Sequence, residues 1–252
     1  MERRSTVLKE VRGGRNTYGE VIGIILIERH FPRLPGEMGN ATTFDFPVRF
    51  HVVKGVDVST RLKMHEGDAS LIEPFLRGVK ELEQAVVRAI TTNCGFLIRY
   101  QDILADAADI PVFTSSLLQI PMVYRMLRKG QKIGVLTADA GPGGLGKAHF
   151  EAAGAGHIPI EVMGMENYEE FQTYLYDRLI LRPEKVKEEM VDAARRLVSR
   201  APEIGALVME CANMPIYGKA VQEAVSLPIF DFITMTHMVY SAVVKKEFDG
   251  LL

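Results

Sequence analysis

Cysteine is nearly missing from the 252 residues: Cys94 and Cys211 are the only two. That count excludes a disulfide scaffold and a zinc site built on four thiolates. An excess of positive charge is missing as well. Thirty Lys and Arg stand against 32 Asp and Glu, a formal charge of -2 and a pI near 6.3, so no global basic field draws nucleic acid or anionic lipid. Long apolar runs are absent too. The longest early one, Val21 to Ile27, is far short of the ~20 residues that cross a bilayer and reads as a buried strand. The opening residues, MERRSTVLKEVRGGRNTYGE, lack the apolar stretch of a secretory signal, so a cytoplasmic location with free thiols is expected. The histidines, at 30, 51, 65, 149, 157 and 237, lack the spacing of a ligand motif, and no metal site is expected.

What remains is an ordinary globular composition, 47% hydrophobic and 25% charged, with a regular plan. Apolar, β-branched runs at 21–28, 48–56, 85–92, 110–114, 132–137, 158–163, 205–210 and 228–232 predict strands. Segments 68–83, 97–107, 116–129, 144–154, 184–200, 214–225 and 233–247 have helical spacing. Strands alternating with helices, several of them apolar throughout, predict parallel sheets covered on both faces.

The plan occurs twice. Val87 to Cys94 is followed by Ile110-Pro111-Val112-Phe113, and Ala206 to Cys211 by Leu227-Pro228-Ile229-Phe230. The same 17-residue interval separates Cys94 from Pro111 and Cys211 from Pro228. Ile22-Gly23-Ile24-Ile25-Leu26 likewise resembles Ile133-Gly134-Val135-Leu136. Two α/β halves of about 110 residues follow: residues 1–115 with 228–252, and 116–227. The expected fold is a pair of pseudo-symmetric, doubly wound, flavodoxin- or Rossmann-like parallel-sheet domains with the active site in the cleft between them. Ligands of such sheets bind outside the carboxyl ends of the strands, where both cysteines lie. Each precedes an expected helix start, Gly95-Phe96-Leu97 or Asn213-Met214-Pro215, whose amides can lower a thiol pKa and bind a carboxylate. Two facing thiols suit inversion of a carbon centre, one removing a proton and the other delivering one.

Thr91-Thr92-Asn93-Cys94-Gly95-Phe96, Glu210-Cys211-Ala212-Asn213-Met214-Pro215 and the loop Gly36-Glu37-Met38-Gly39-Asn40 resemble the aspartate/glutamate racemase superfamily, which includes hydantoin racemases, maleate isomerases and arylmalonate decarboxylases. The resemblance spans nearly the whole chain. It implies a cofactor-independent racemase or isomerase of a small carboxylate, with Cys94 and Cys211 as paired acid/bases. Thr92, Asn93, Gly95, Phe96, Asn40, Ala212 and Asn213 would be its substrate-binding residues. The family's amino-acid racemases commonly carry Cys-Asn-Thr at the first site and Cys-Thr followed by Glu or His at the second; here Gly95, Ala212 and Asn213 stand in those places. Thr114, Ser115 and Thr137, at strand ends, could replace the missing hydroxyls. A maleate-like cis–trans isomerase using a cysteine nucleophile stays open.

A third reading comes from Gly141-Pro142-Gly143-Gly144-Leu145-Gly146-Lys147, which fits G-x-G-x-x-G and nearly a phosphate-binding loop, although Ala148 stands where the latter needs Ser or Thr. It makes a non-catalytic nucleotide-binding module the alternative; otherwise the loop is a flexible connection or lid. Arg33, Asn40, Thr42 and Thr43 lie where a carboxylate-binding lid could close. The expected partner is a small carboxylate, with no nucleic acid and no membrane, and a homo-oligomer stays open.

Overall fold

Residue 10 and residues 12–248 are described by a computed structural model. The outermost parts of the first expected half, residues 1–9, residue 11 and 249–252, lie outside the described residues. Strands β1 (Ile22–Ile27), β2 (Val48–Val53), β3 (Ala89–Thr92) and β4 (Val112–Phe113) pair in the order β2-β1-β3-β4. Strands β5 (Lys132–Thr137), β6 (Ile160–Gly164), β7 (Ile204–Met209) and β8 (Ile229–Phe230) pair in the equivalent order β6-β5-β7-β8. Every pairing is parallel. The helices are α1 (Arg61–Glu66), α2 (Ile72–Gln84), α3 (Gln101–Asp106), α4 (Ile120–Met126), α5 (Lys147–Ala152), α6 (Gln172–Leu175), α7 (Pro183–Arg200), α8 (Gly218–Val225) and α9 (Phe232–Val243). Among the described residues no helix is long and apolar enough to cross a membrane.

Each run expected to be a strand forms one, because β1, β3 and β7 are buried along their whole length and leave no face for water. Alternate residues of β1 feed opposite cores: Ile25 and Ile27 pack with α2, while Ile22, Ile24 and Leu26 pack with Phe232 and Met235 of α9. Expected helices are shorter than their patterns where a 3-10 turn takes the first residues, as at Gly95–Tyr100, Ser116–Gln119 and Pro215–Tyr217. Pro215 opens its turn, where a missing N–H is no loss. Helices α1 and α6 are additional. At six and four residues they are too short to show a period.

The halves interlock. After β4 the chain crosses over, and Leu117, Ile120 and Val123 join the core of the second sheet. After β8 it crosses back, and α9 covers β1 and β3 of the first. Strand β8, assigned to the first half by the sequence division at 228, hydrogen-bonds β7 and so lies in the second sheet. The return falls at Asp231, whose side chain accepts from Thr234 N at 2.8 Å and caps α9. Because fully buried Phe232 fixes that return, Phe232→Ala should lower the unfolding free energy by about 3–5 kcal/mol, read from urea denaturation.

Candidate active site

The carboxyl ends of β1 and β3 face those of β5 and β7, and one pocket lies between them. Cys94, one residue beyond the Asn93 that follows β3, and Cys211, two residues past β7, both line it. The cavity measures about 50 Å³, on a scale where one water takes roughly 10–15 Å³, which is room for a small acid.

Its walls are mostly apolar: Ile27, Phe31, Met64, Phe96, Ala138, Tyr174 and Leu175. Arg29, just past β1, is half-buried, and among the described residues no carboxylate lies within ion-pair distance of it. Among the described residues its guanidinium donates one hydrogen bond, to the neighbouring Glu28 carbonyl at 3.1 Å. Arg61 is different, since Asp139 neutralises it at 2.7 Å. Arg29 is therefore the cation left for an anionic ligand.

The thiols are not the acidified pair that their turn positions predict. Burial pushes Cys94 up to about 12, and the Glu210 carboxylate adds to the rise; the N–H groups of Phe96 and Leu97 and the Arg29 charge oppose it. Cys211 is likewise raised well above the ordinary thiol range by the same two causes, against the Asn213 N–H and side chain. Desolvation outweighs the amides because the sulfurs face an apolar cavity. Glu210, fully buried, is itself raised to about 7 by burial, although it accepts from Thr137 Oγ1 at 2.9 Å and Ala138 N at 3.3 Å.

Of the residues expected at the site, Cys94, Cys211, Asn93, Phe96 and Asn213 line the pocket. Asn93 spends its Oδ1 on Ile27 N, which fixes the two strand ends. Asn213 Nδ2 reaches Cys211 Sγ at 3.5 Å, and its Oδ1 is buried without a partner. The others lie behind the wall. Thr92 donates to the Thr114 carbonyl and Thr114 to Gln101, while Ser115 caps the turn at 116–119. Thr137 serves Glu210 rather than the cavity, and Ala212 packs among Phe44, Phe46 and Phe232. Gly95 packs against Glu210, where a Cβ would stand 2.3 Å from Oε1 and 2.4 Å from the carbonyl oxygen. Asn40 caps the turn at 41–43, Thr42 and Thr43 bond within that loop, and Arg33 pairs with buried Glu37. The loop after β1 is thus occupied with itself.

Sequence reasoning passed over Arg29, Glu210 and the residues of α1. Arg29 follows a central strand at its carboxyl end, a signal that position alone offers. His65 has no such signal. It stacks on Phe96 with 3.5 Å between ring centroids, and its Nδ1 is buried without a partner.

The glycine loop at 141–147, expected as a phosphate cradle or a lid, is tied down. Gly141 N and Leu145 N bond Asp139, Gly144 N bonds the Gly141 carbonyl, and Gly146 N bonds His149 Nδ1. Those amides are taken, and the carboxylate among them repels phosphate. His149 Nε2 in turn reaches the His65 carbonyl at 2.7 Å and fastens α5 to α1. Opposite, Asp177 accepts from the backbone of His30 and Phe31 at 2.6 and 2.9 Å, which sets Tyr174 edge-on to Phe31 at the pocket rim. Among the described residues no three His, Cys, Asp or Glu side chains converge as metal ligands.

Fold and site together define a two-half parallel α/β protein with paired thiols in its interdomain cleft. The model of the Asp/Glu/hydantoin racemase family matches residues 41–237, and the chain belongs to that family. It is 26% identical over 220 residues to a dimethylsulfoniopropionate lyase from Durusdinium sp. clade D, covering 84% of this chain and 71% of that one. It is 28% identical over 239 residues to dimethylsulfoniopropionate lyase 7 from Emiliania huxleyi, covering 91% and 69%. The fold is similar to that of glutamate racemase RacE1 from Bacillus anthracis, with a TM-score of 0.55 at 14% identity over 89% of this chain and 81% of the other. It is also similar to arylmalonate decarboxylase, with a TM-score of 0.52 at 13% identity over 90% and 95%.

Burial that keeps His65 neutral lowers its pKa from 6.5 to about 3. The unfolded chain then binds the extra proton first, so stability is whole above pH 6.5 and falls as pH drops toward 3, by up to about 1.4 kcal/mol per pH unit. His65→Phe should remove about one proton from that slope, read from urea midpoints between pH 7 and 4.

Proposed function

We propose that this chain is a cofactor-independent enzyme that takes the proton α to the carboxylate of a small acid, and that it acts as a dimethylsulfoniopropionate lyase. The observation that carries the reading is a thiol, Cys94, and a guanidinium without a carboxylate partner, Arg29, in one small apolar pocket. Arg29 holds the substrate carboxylate. Cys94, whose thiolate the Arg29 charge favours, is the base. The α C–H bond breaks with its proton going to sulfur, its electron pair becomes the new C=C bond, and the C–S bond breaks to release neutral dimethyl sulfide and leave acrylate. The leaving group departs uncharged and needs no acid. Phe31, Phe96 and Tyr174 give the pocket aromatic walls beside which a sulfonium can sit. The curated relatives carry the name of this activity. One free guanidinium suits a monocarboxylate better than a maleate-like diacid, because Arg61 is committed to Asp139.

Racemisation is the second reading, favoured by the second thiol at the matching strand end. Elimination needs one base, whereas inversion needs two groups of equal importance.

Purified protein given dimethylsulfoniopropionate should release dimethyl sulfide, measured in the headspace, with one acrylate per sulfide. Cys94→Ser should lower kcat by ~10²–10⁴-fold and Cys211→Ser by less. Arg29→Leu should raise KM at least ~10-fold, the loss of one charge-assisted hydrogen bond. No sulfide release, together with α-deuterium exchange into amino acids that both cysteine variants abolish equally, would establish racemisation instead.

A further inference from the structure

The base of the proposed reaction must be a thiolate, yet burial raises both sulfurs well above the ordinary thiol range. The thiol proton needs somewhere to go. Glu210 is the carboxyl group that lines the pocket with both cysteines, directly before Cys211 in the chain. No ion pair among the described residues involves it. Among the described residues the following groups face it. From the end of β5 come the Thr137 hydroxyl, the Ala138 N–H and the Asp139 carboxylate; from the turn after β3 come the Phe96 N–H and the bare Cα of Gly95. Ser116 bonds the Glu210 backbone carbonyl rather than its side chain. Cys94 and Cys211 complete the set.

Three acids desolvated together cannot all ionise, and like charges at short range push each other's proton affinity up. We propose that Glu210 is a positioning residue for the chemistry: it takes up the thiol proton as the thiolate forms, so that Cys94, Cys211 and Glu210 together hold one negative charge until the thiolate takes the substrate proton. In that step the S–H bond breaks, the proton joins a Glu210 oxygen, and the charge passes from carboxylate to sulfur with no net change. Thr137 and Ala138 hold the charge on the carboxylate before the thiolate forms. The inference deepens the reading of Cys94 as base and rests on it.

Gly95 is a consequence of the same arrangement. A methyl there would collide with Oε1 and with the carbonyl oxygen of Glu210, so the turn that carries Cys94 approaches the carboxyl only without a side chain.

The test reads the thiols directly, without substrate. Iodoacetamide alkylation at Cys94, followed by peptide mass spectrometry from pH 6 to 10, reports the thiolate fraction. Glu210→Gln keeps the shape and an acceptor for Thr137 but removes the charge. It should shift the Cys94 profile down by at least one pH unit, which is about tenfold more alkylation at pH 9. Thr137→Val keeps the carboxylate and removes one of its donors, so it should shift the profile the same way by less. If Glu210→Gln does not fold, Thr137→Val carries the test alone. Profiles unmoved in the folded variants, or moved upward, overturn the role. A change in rate that is uniform across pH marks altered access rather than altered charge and overturns it as well. Because no substrate is used, a lack of lyase activity leaves this result standing, and unmoved profiles leave the lyase reading standing.

Discussion

A carboxyl group buried where two sheets meet constrains everything around it. Glu210 follows β7, with one oxygen bonded by Thr137 and Ala138 and the other against Gly95. A desolvated carboxylate is tolerated only with donors in place. Two of those donors come from the end of the neighbouring strand β5, and the space for the group comes from a glycine in the other half of the chain. The turn bearing Cys94 can close on the second half because residue 95 has no side chain. The two thiols, the carboxyl and the pocket between them are therefore one electrostatic unit.

The interlocked halves give that unit its rigidity. Helices exchanged after β4 and β8 place part of each core on the opposite sheet. Around the pocket, further bonds cross between the halves: Arg61 to Asp139, His149 to the His65 carbonyl, and Asp177 to the His30 and Phe31 amides. The glycine loop belongs to this system. Its amides are spent on Asp139 and His149, so it braces α1, the wall that carries His65 and Arg61, rather than receiving a phosphate.

Two of the motif residues serve packing around the pocket rather than the cavity itself. Ala212 packs against Phe44, Phe46 and Phe232, and Gly95 makes room for Glu210. At residue 95 any side chain would meet the Glu210 carboxyl. With mostly apolar walls and one guanidinium free of a carboxylate partner among the described residues, the cavity supports the proposed reading of a short acid as substrate.

Periodicity and repetition are carried by residues close together in the chain, and for that reason the strands, the two-half plan and the matched positions of Cys94 and Cys211 were legible from composition and spacing alone. Burial runs of β1, β3 and β7 follow from their unbroken apolar residues. Helices α1 and α6 were not legible, since one turn or two leaves no period to read. Nor were the roles of Asn40, Thr114 and Thr137, whose hydrogen bonds turn away from the cavity. The raised thiols, the charge left to Arg29 and the burial of Glu210 arise among segments as far apart as residues 29, 94 and 210. Desolvation and Coulomb forces act through space, and only the folded chain sets those distances.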